Sequence, residues 1–188
     1  MNEPVIIIVV HQLVFQGMFF AKNFILRRRL EKQIRGKNRE ANVFIGFFVV
    51  FAVITLYLAY QNTSSMTSIS SWDAAAHVLG IILMLASVMI AWASLKDLGD
   101  SWRVGVIDEQ QTTLVDTGIY GFTRNPYFLA YLTLFAAYTV FLQSLVLLLL
   151  SVLGFGLIHS LVRREEAYLS SHHGDSYEKY KDSVPRYL

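Results

Sequence analysis

Five apolar stretches dominate the chain, at residues 4–26, 41–60, 74–95, 127–142 and 145–162, with polar segments between them. Each is close to the roughly 20 residues that carry a helix across a bilayer core, and no strand pattern interrupts them. The pattern predicts an all-α integral membrane protein with five transmembrane helices. The last two are short and only Gln143 and Ser144 separate them, which predicts a tight helical hairpin with its tip at or short of the far interface. After residue 162 a polar tail predicts a short cytoplasmic C-terminal helix. The first stretch carries Glu3 instead of a basic leader and is followed by no small-x-small cleavage site, so it is read as a retained anchor.

Composition sharpens this picture. Of 188 residues, 54% are hydrophobic and 16% charged, against about 25% charged in an ordinary soluble domain. A water-soluble globule is excluded. The absence of cysteine removes disulfides, thiolate zinc sites, iron–sulfur clusters and thiol nucleophiles. A net charge of +2 decides little, but its distribution decides orientation. All 16 lysines and arginines fall on one side of the five-pass arrangement, in residues 22–39, 96–124 and 163–186. The positive-inside rule then puts the amino terminus outside and the carboxyl terminus in the cytoplasm. The basic run from Arg27 to Arg39, in loop 27–40, is read as a topology determinant that touches nothing specific, with binding to the anionic headgroups of membrane lipids as the alternative, and the Ser/Thr-rich loop 61–73 as a solvated connection. Residues 1–95 thus form three spans, and residues 96–188 hold the polar equipment around the hairpin 126–162. No nucleic-acid partner is expected, and oligomeric state is not encoded in any recognisable pattern.

Two polar stretches flank that hairpin on the cytoplasmic side. The first holds Asp97, Asp100, Asp108, Glu109 and Asp116, then a Gly118-Ile119-Tyr120 turn and Arg124-Asn125-Pro126. Pro126 suits the first turn of a helix because its missing N–H would be unsatisfied there anyway. Asn125 is the expected N-cap, and on local physics alone Arg124 is a snorkelling arginine beside the helix start. The second stretch opens with Arg163-Arg164-Glu165-Glu166. Adjacent carboxylates directly after an apolar span need partners, such as the arginines or a cationic ligand. They point about 100° apart on a helix, so one is expected to pair within the protein. Leu169 through Gly174 to Tyr177, Tyr180 and Val184-Pro185-Arg186 reads as an amphipathic helix with both tyrosines on one side, either a lid or an interfacial anchor. His11, His77 and His159 show no metal-ligand spacing; His159 lies about one turn before Arg163 and is read as a buried histidine bonded to a backbone carbonyl. His172 and His173 read as a solvated turn, and Gly154 and Gly156 as positions for close helix approach. There is no Ser/His/Asp set, phosphate loop or GxGxxG, and no metal site is expected.

The order of these elements is recognisable. Asp97-Leu98-Gly99, Leu114-Val115-x-x-Gly118-Ile119-Tyr120, Arg124-Asn125-Pro126, an apolar hairpin, Arg164-Glu165-Glu166, Leu169, Gly174-x-x-Tyr177-x-x-Tyr180 and Val184-Pro185-Arg186 together resemble the isoprenylcysteine carboxyl methyltransferase and phospholipid methyltransferase superfamily of integral-membrane enzymes. The resemblance covers about half of the chain, residues 97–188.

The resemblance implies an S-adenosylmethionine-dependent methyltransferase whose acceptor is a lipophilic small molecule, prenylated or lipid, of the isoprenylcysteine-carboxylate or phospholipid-amine kind. It implies a donor site framed by Gly118, Tyr120, Arg124, Asn125, Pro126, Arg164, Glu165, Glu166, Tyr177 and Tyr180, with Arg124, Glu165 and Glu166 as catalytic candidates. A carboxylate acceptor would be positioned by Arg124, whereas an amine acceptor would need Glu165 or Glu166 as base. The tyrosine faces could shield a sulfonium by cation–π attraction. The sequence departs from the family's usual Arg-His-Pro-x-Tyr-x-Gly, reading Arg124-Asn125-Pro126-Tyr127-Phe128-Leu129-Ala130, so the titratable histidine, one hydroxyl and a close-packing glycine are replaced. Two other readings compete: an NADPH-dependent enzyme similar to the membrane sterol reductases, and a non-catalytic membrane scaffold with the same fold.

Overall fold

The computed structural model describes residues 3–30, 39–61, 70–102 and 113–188, and these are helical throughout apart from short connections. The remainder of the basic loop, the centre of the Ser/Thr loop, and Arg103, Asp108 and Glu109 lie outside the described residues. In chain order the helices are α1 (Glu3–Leu30), α2 (Arg39–Gln61), α3 (Ser70–Leu98), α4 (Pro126–Leu142), α5 (Leu145–His173) and α6 (Asp175–Ser183), with 3₁₀ turns at Gly99–Ser101 and Gly118–Gly121. α1, α2, α3 and α5 are long and apolar enough to cross a membrane, and α4 is a shorter apolar helix. Their outward faces stay apolar: Phe20 is 75% exposed and Val152 63% exposed. Lipid, not water, satisfies such surfaces.

α4 is the hub although it is the shortest of the five. Its 17 residues span about 25 Å at 1.5 Å per residue. Yet Phe128, Ala130, Tyr131, Leu134, Phe135, Ala137, Tyr138 and Phe141 are all buried, mainly along α3 and α5. Aromatic rings from α1 and α2 close around it. Phe15 and Phe44 meet Tyr131 edge to face at 5.1 and 5.3 Å, and Phe51 lies 4.5 Å from Phe135. Gln143 ends α4 in the left-handed region at φ 46°, and the Ser144 side chain then accepts from the Leu147 N–H to start α5.

Polar side chains tie the apolar helices together. His11 Nε2 lies 3.1 Å from the Met84 carbonyl oxygen and 3.0 Å from Ser87 Oγ. The carbonyl can only accept and Ser87 donates to that same oxygen, so Nε2 carries the proton and Nδ1 accepts from the Tyr138 hydroxyl at 2.6 Å. One side chain thereby links α1, α3 and α4. His11, rather than His159, is the buried histidine on a backbone carbonyl; His159 Nδ1 instead meets the Tyr187 hydroxyl at 3.3 Å.

Several boundaries differ from those the apolar runs predict. α5 does not stop near residue 162 but continues to His173, because nothing between Val162 and Gly174 breaks a helix. Leu169, His172 and His173 therefore belong to α5, and only the residues after Gly174, at φ 50°, form the tail helix. Of the two predicted close-approach glycines, Gly154 lies under the Phe135 and Phe47 rings, whereas Gly156 has open space. A crossing with backbone in close approach is at Gly80, where an added Cβ would sit 2.6 Å from Phe141 Cβ and 2.8 Å from its Cα. Backbone cannot swing aside. Gly80→Ala is expected to lower stability by about 1–3 kcal/mol, while Gly156→Ala, in open space, is expected to add about 0.5–1 kcal/mol. Thermal unfolding of the two variants in detergent checks the opposite signs.

Candidate functional site

The ends of α2, α3, α4 and α5 that carry the charged residues converge on one cleft. One lining residue, Tyr120, is held by a turn built on Asp97 in the last turn of α3. Gly118 adopts φ +63°, and any Cβ there would fall 2.1 Å from Asp97 Oδ2, so the 3₁₀ turn closes directly over the carboxylate. The Ile119 N–H donates to that oxygen at 2.8 Å. This fixes Tyr120, whose buried phenol meets Ser94 Oγ at 3.0 Å and whose carbonyl accepts from the Tyr180 hydroxyl at 2.7 Å. Burial pushes the Tyr120 and Tyr180 phenols up, so both keep their protons and remain donors.

Arg124 follows the turn, and its side chain is only 7% exposed. It does not snorkel. Its backbone N–H donates to the Pro185 carbonyl at 3.0 Å, its Nη1 to the Lys181 carbonyl at 2.9 Å, and its Nη2 lies 3.2 Å from Glu166 Oε1. Among the described residues its Nε finds no partner although it is buried. Asn125 occupies the N-cap position of α4, but its side chain does not cap. Its Nδ2 instead donates to Glu166 Oε1 at 3.2 Å and to the Arg186 carbonyl at 3.1 Å. A cap would use Oδ1 as acceptor, whereas these bonds run through Nδ2, a donor that cannot cap helix N–H groups. Pro126 is buried at the first position of α4, as its missing N–H allows.

The two adjacent glutamates have separate fates. Glu166 is buried and turned into the protein, where Arg186 grips it with Nε at 3.0 Å and Nη2 at 2.8 Å from Oε2. That hydrogen-bonded carboxylate raises the Arg186 pKa. Glu165, about 100° around the helix, is exposed and lines the cleft. Arg164 also lines the cleft; its ionic partner is Glu40 of α2, not either neighbouring glutamate. Tyr180 reaches the cleft wall from α6, while Tyr177 is buried behind it with Val184, against Leu114 and Leu169. The tail tyrosines therefore share a side, but that side is packed on the protein. Burial and the nearby Glu166 charge both push the Tyr177 phenol up.

Tyr120, Arg124, Asn125, Arg164, Glu165 and Tyr180 thus all line this one cleft. Gly118, Pro126, Glu166 and Tyr177 stand behind it as support. Several wall residues escape a sequence reading. Glu40, Phe44 and Ile45 come from α2, Trp102 follows the first 3₁₀ turn, and Tyr168 lies on the unexpected extension of α5. Trp102 is held by Nε1 donating to Asn23 Oδ1 at 2.7 Å and by the Tyr127 ring 4.9 Å away. Arg186 is the other missed residue. Its signal was the need of a buried Glu166 for a cation other than Arg164, which pairs with Glu40.

The profile of the phospholipid methyltransferase family matches residues 75–176, more than half of the chain, from α3 through both 3₁₀ turns, α4 and α5 to the start of α6. The chain belongs to the phospholipid methyltransferase family. Members of this family are methyltransferases of the same superfamily as the isoprenylcysteine carboxyl methyltransferases, and a role in methyl transfer to lipid-type substrates accords with the apolar spans. No curated protein matches the chain. Within the family match lie Asp97, Gly118, Arg124, Asn125 and both glutamates, whereas Glu40, Tyr180 and Arg186, which complete the cleft or brace it, lie outside.

Proposed function

We propose that this family member transfers a methyl group from S-adenosylmethionine to a lipophilic acceptor, at the point where the cleft joins the cytoplasm to the bilayer. The observation that carries the reading is the cleft's mixed lining. It combines the charged Glu40, Arg124, Arg164 and Glu165 with the apolar Phe44, Ile45 and Leu161, between α2 and α5. A polar donor and an oily acceptor need just such a junction. Five crossings, with α4 and α5 as a hairpin and the amino terminus outside, complete the reading. In support, Arg29 pairs with Asp100 and Arg164 with Glu40, which ties the charged end of α1 to that of α3 and the charged start of α2 to α5.

The residues present fit the donor. The buried, unpartnered Arg124 Nε offers a charged N–H to a carboxylate, exposed Glu165 offers an acceptor to an ammonium group, and the Tyr120, Tyr168 and Trp102 rings line the space between. When bound, S-adenosylmethionine supplies a methyl group activated on a sulfonium. The protein's own contribution is alignment and exclusion of water, which Trp102, Tyr127 and Phe128 provide at the inner end. Glu166 is engaged by two arginines and Asn125, so it braces the site. Glu165 is the carboxylate placed to take a proton from an amine acceptor. Glu165→Gln is therefore expected to slow transfer to an amine by about 100-fold or more and to slow transfer to a carboxylate acceptor far less, only through weaker donor binding, as radiolabelled methyl incorporation into each lipid class would read.

Calorimetric titration of the detergent-solubilised protein with S-adenosylmethionine and with NADPH tests the reading as a whole. Saturable heat with the methyl donor is the expected result. Heat with NADPH alone would replace it with a reductase, and heat with neither would leave a scaffold.

A further inference from the structure

Glu166 has two oxygens and three side chains that donate to them. Arg186 takes Oε2 through Nε and Nη2, at 3.0 and 2.8 Å, and also reaches Oε1 at 3.1 Å. Arg124 is left with Oε1 alone, through Nη2. Its other terminal nitrogen is bound to the Lys181 carbonyl, which tethers that tip of the guanidinium. The preferred arrangement of an arginine with a lone carboxylate is a two-point fork. Arg124 could build one from Nε and Nη2, but Arg186 already occupies the second oxygen.

We propose that Arg186 is a positioning residue that, by capping Glu166 Oε2, stops Arg124 from forking onto Glu166 and so keeps the Arg124 Nε–H available to an anionic oxygen of the ligand in the cleft. The proposal rests on the donor-binding reading above for the ligand, but its central claim concerns the empty protein. A buried charged donor without a partner is costly unless something holds it there for use. Two anchors of the Arg186 segment are independent of its guanidinium: Thr123 Oγ1 and Asn125 Nδ2 both donate to the Arg186 carbonyl at 3.1 Å. The chain segment therefore stays docked when the side chain is changed, which separates positioning from simple fastening.

Arg186→Gln, Arg186→Lys and Arg186→His, in the full-length protein in detergent, test this. Nitrogen-15 NMR of the arginine Nε–H groups, assigned with Arg124→Lys, reads the ligand-free state. The Arg124 signal is expected to move to a hydrogen-bonded position in Arg186→Gln and to stay near the wild-type position in Arg186→Lys. Titration with S-adenosylmethionine is expected to show an affinity about tenfold weaker in Arg186→Gln, in keeping with the loss of one charge-assisted contact. The Arg186→His affinity should approach wild type near about pH 6, where imidazolium still caps Glu166, and the glutamine variant near about pH 8, where it has lost its proton. An unmoved Arg124 signal, or unchanged donor affinity in Arg186→Gln, overturns the proposal. If wild type binds no donor, the methyltransferase reading fails, while the Arg124 signal still decides the positioning role.

Discussion

Glu166→Ala is expected to abolish donor binding and to cost about 3–5 kcal/mol of stability, the scale for removing one partner of a buried ion cluster. The carboxylate collects Arg124, Arg186 and Asn125. Deleting it leaves the Arg124 guanidinium, 7% exposed, facing another cation with no anion between them. Arg186 is 36% exposed and can turn to water, which puts the cost toward the lower end of that range. Glu166→Gln keeps the shape and one acceptor oxygen and should retain the fold with weakened binding. Thermal unfolding and donor titration of both variants check this. An alanine variant that melts like wild type would mean the cluster carries no energetic weight.

Gly118→Ala is the second large effect. A side chain at φ +63° costs about 1–2 kcal/mol by itself, but here the new Cβ would also collide with Asp97 Oδ2. Relieving the collision breaks the Ile119 N–H bond to that carboxylate, a charge-assisted bond worth about 1.5–3 kcal/mol. The turn then releases Tyr120 from Ser94 and from Tyr180, and the cleft loses a lining ring. The expected result is a protein whose apolar helices still insert, with turnover down at least 100-fold, the order seen when a positioning element shifts by about an ångström. Asp97→Asn should be milder, because the amide oxygen can still accept from Ile119. Turnover per folded molecule, corrected by the helical signal, distinguishes the two.

The helices were legible in the apolar runs because lipid-facing surfaces demand uninterrupted hydrophobicity. The role of α4 was not. Hydropathy ranks it merely as a short span, whereas its burial depends on rings from α1 and α2 that lie far away in sequence. The grouping of Arg124 with Glu166 was legible from charge placement and the family resemblance. The assignment of each glutamate was not, because helical phase says only that neighbours diverge, and which one turns inward depends on Arg186. Asn125 shows the same limit. Local rules make it a cap, but a buried carboxylate from α5 claims its amide. Glu40 entered the cleft without any motif, since only the packing of α2 beside α5 brings it to Arg164.

The clasp between the tail and the start of α4 joins residues 61 positions apart, Asn125 and Arg186. Contacts so distant in sequence form after the intervening helices, since the loop they close is already shortened by folding. Assembly is thereby divided: the spans can be inserted one by one, and on the proposed reading the donor site is complete only when the tail folds back. On that reading an incompletely assembled molecule would leave the lipids around it unmodified.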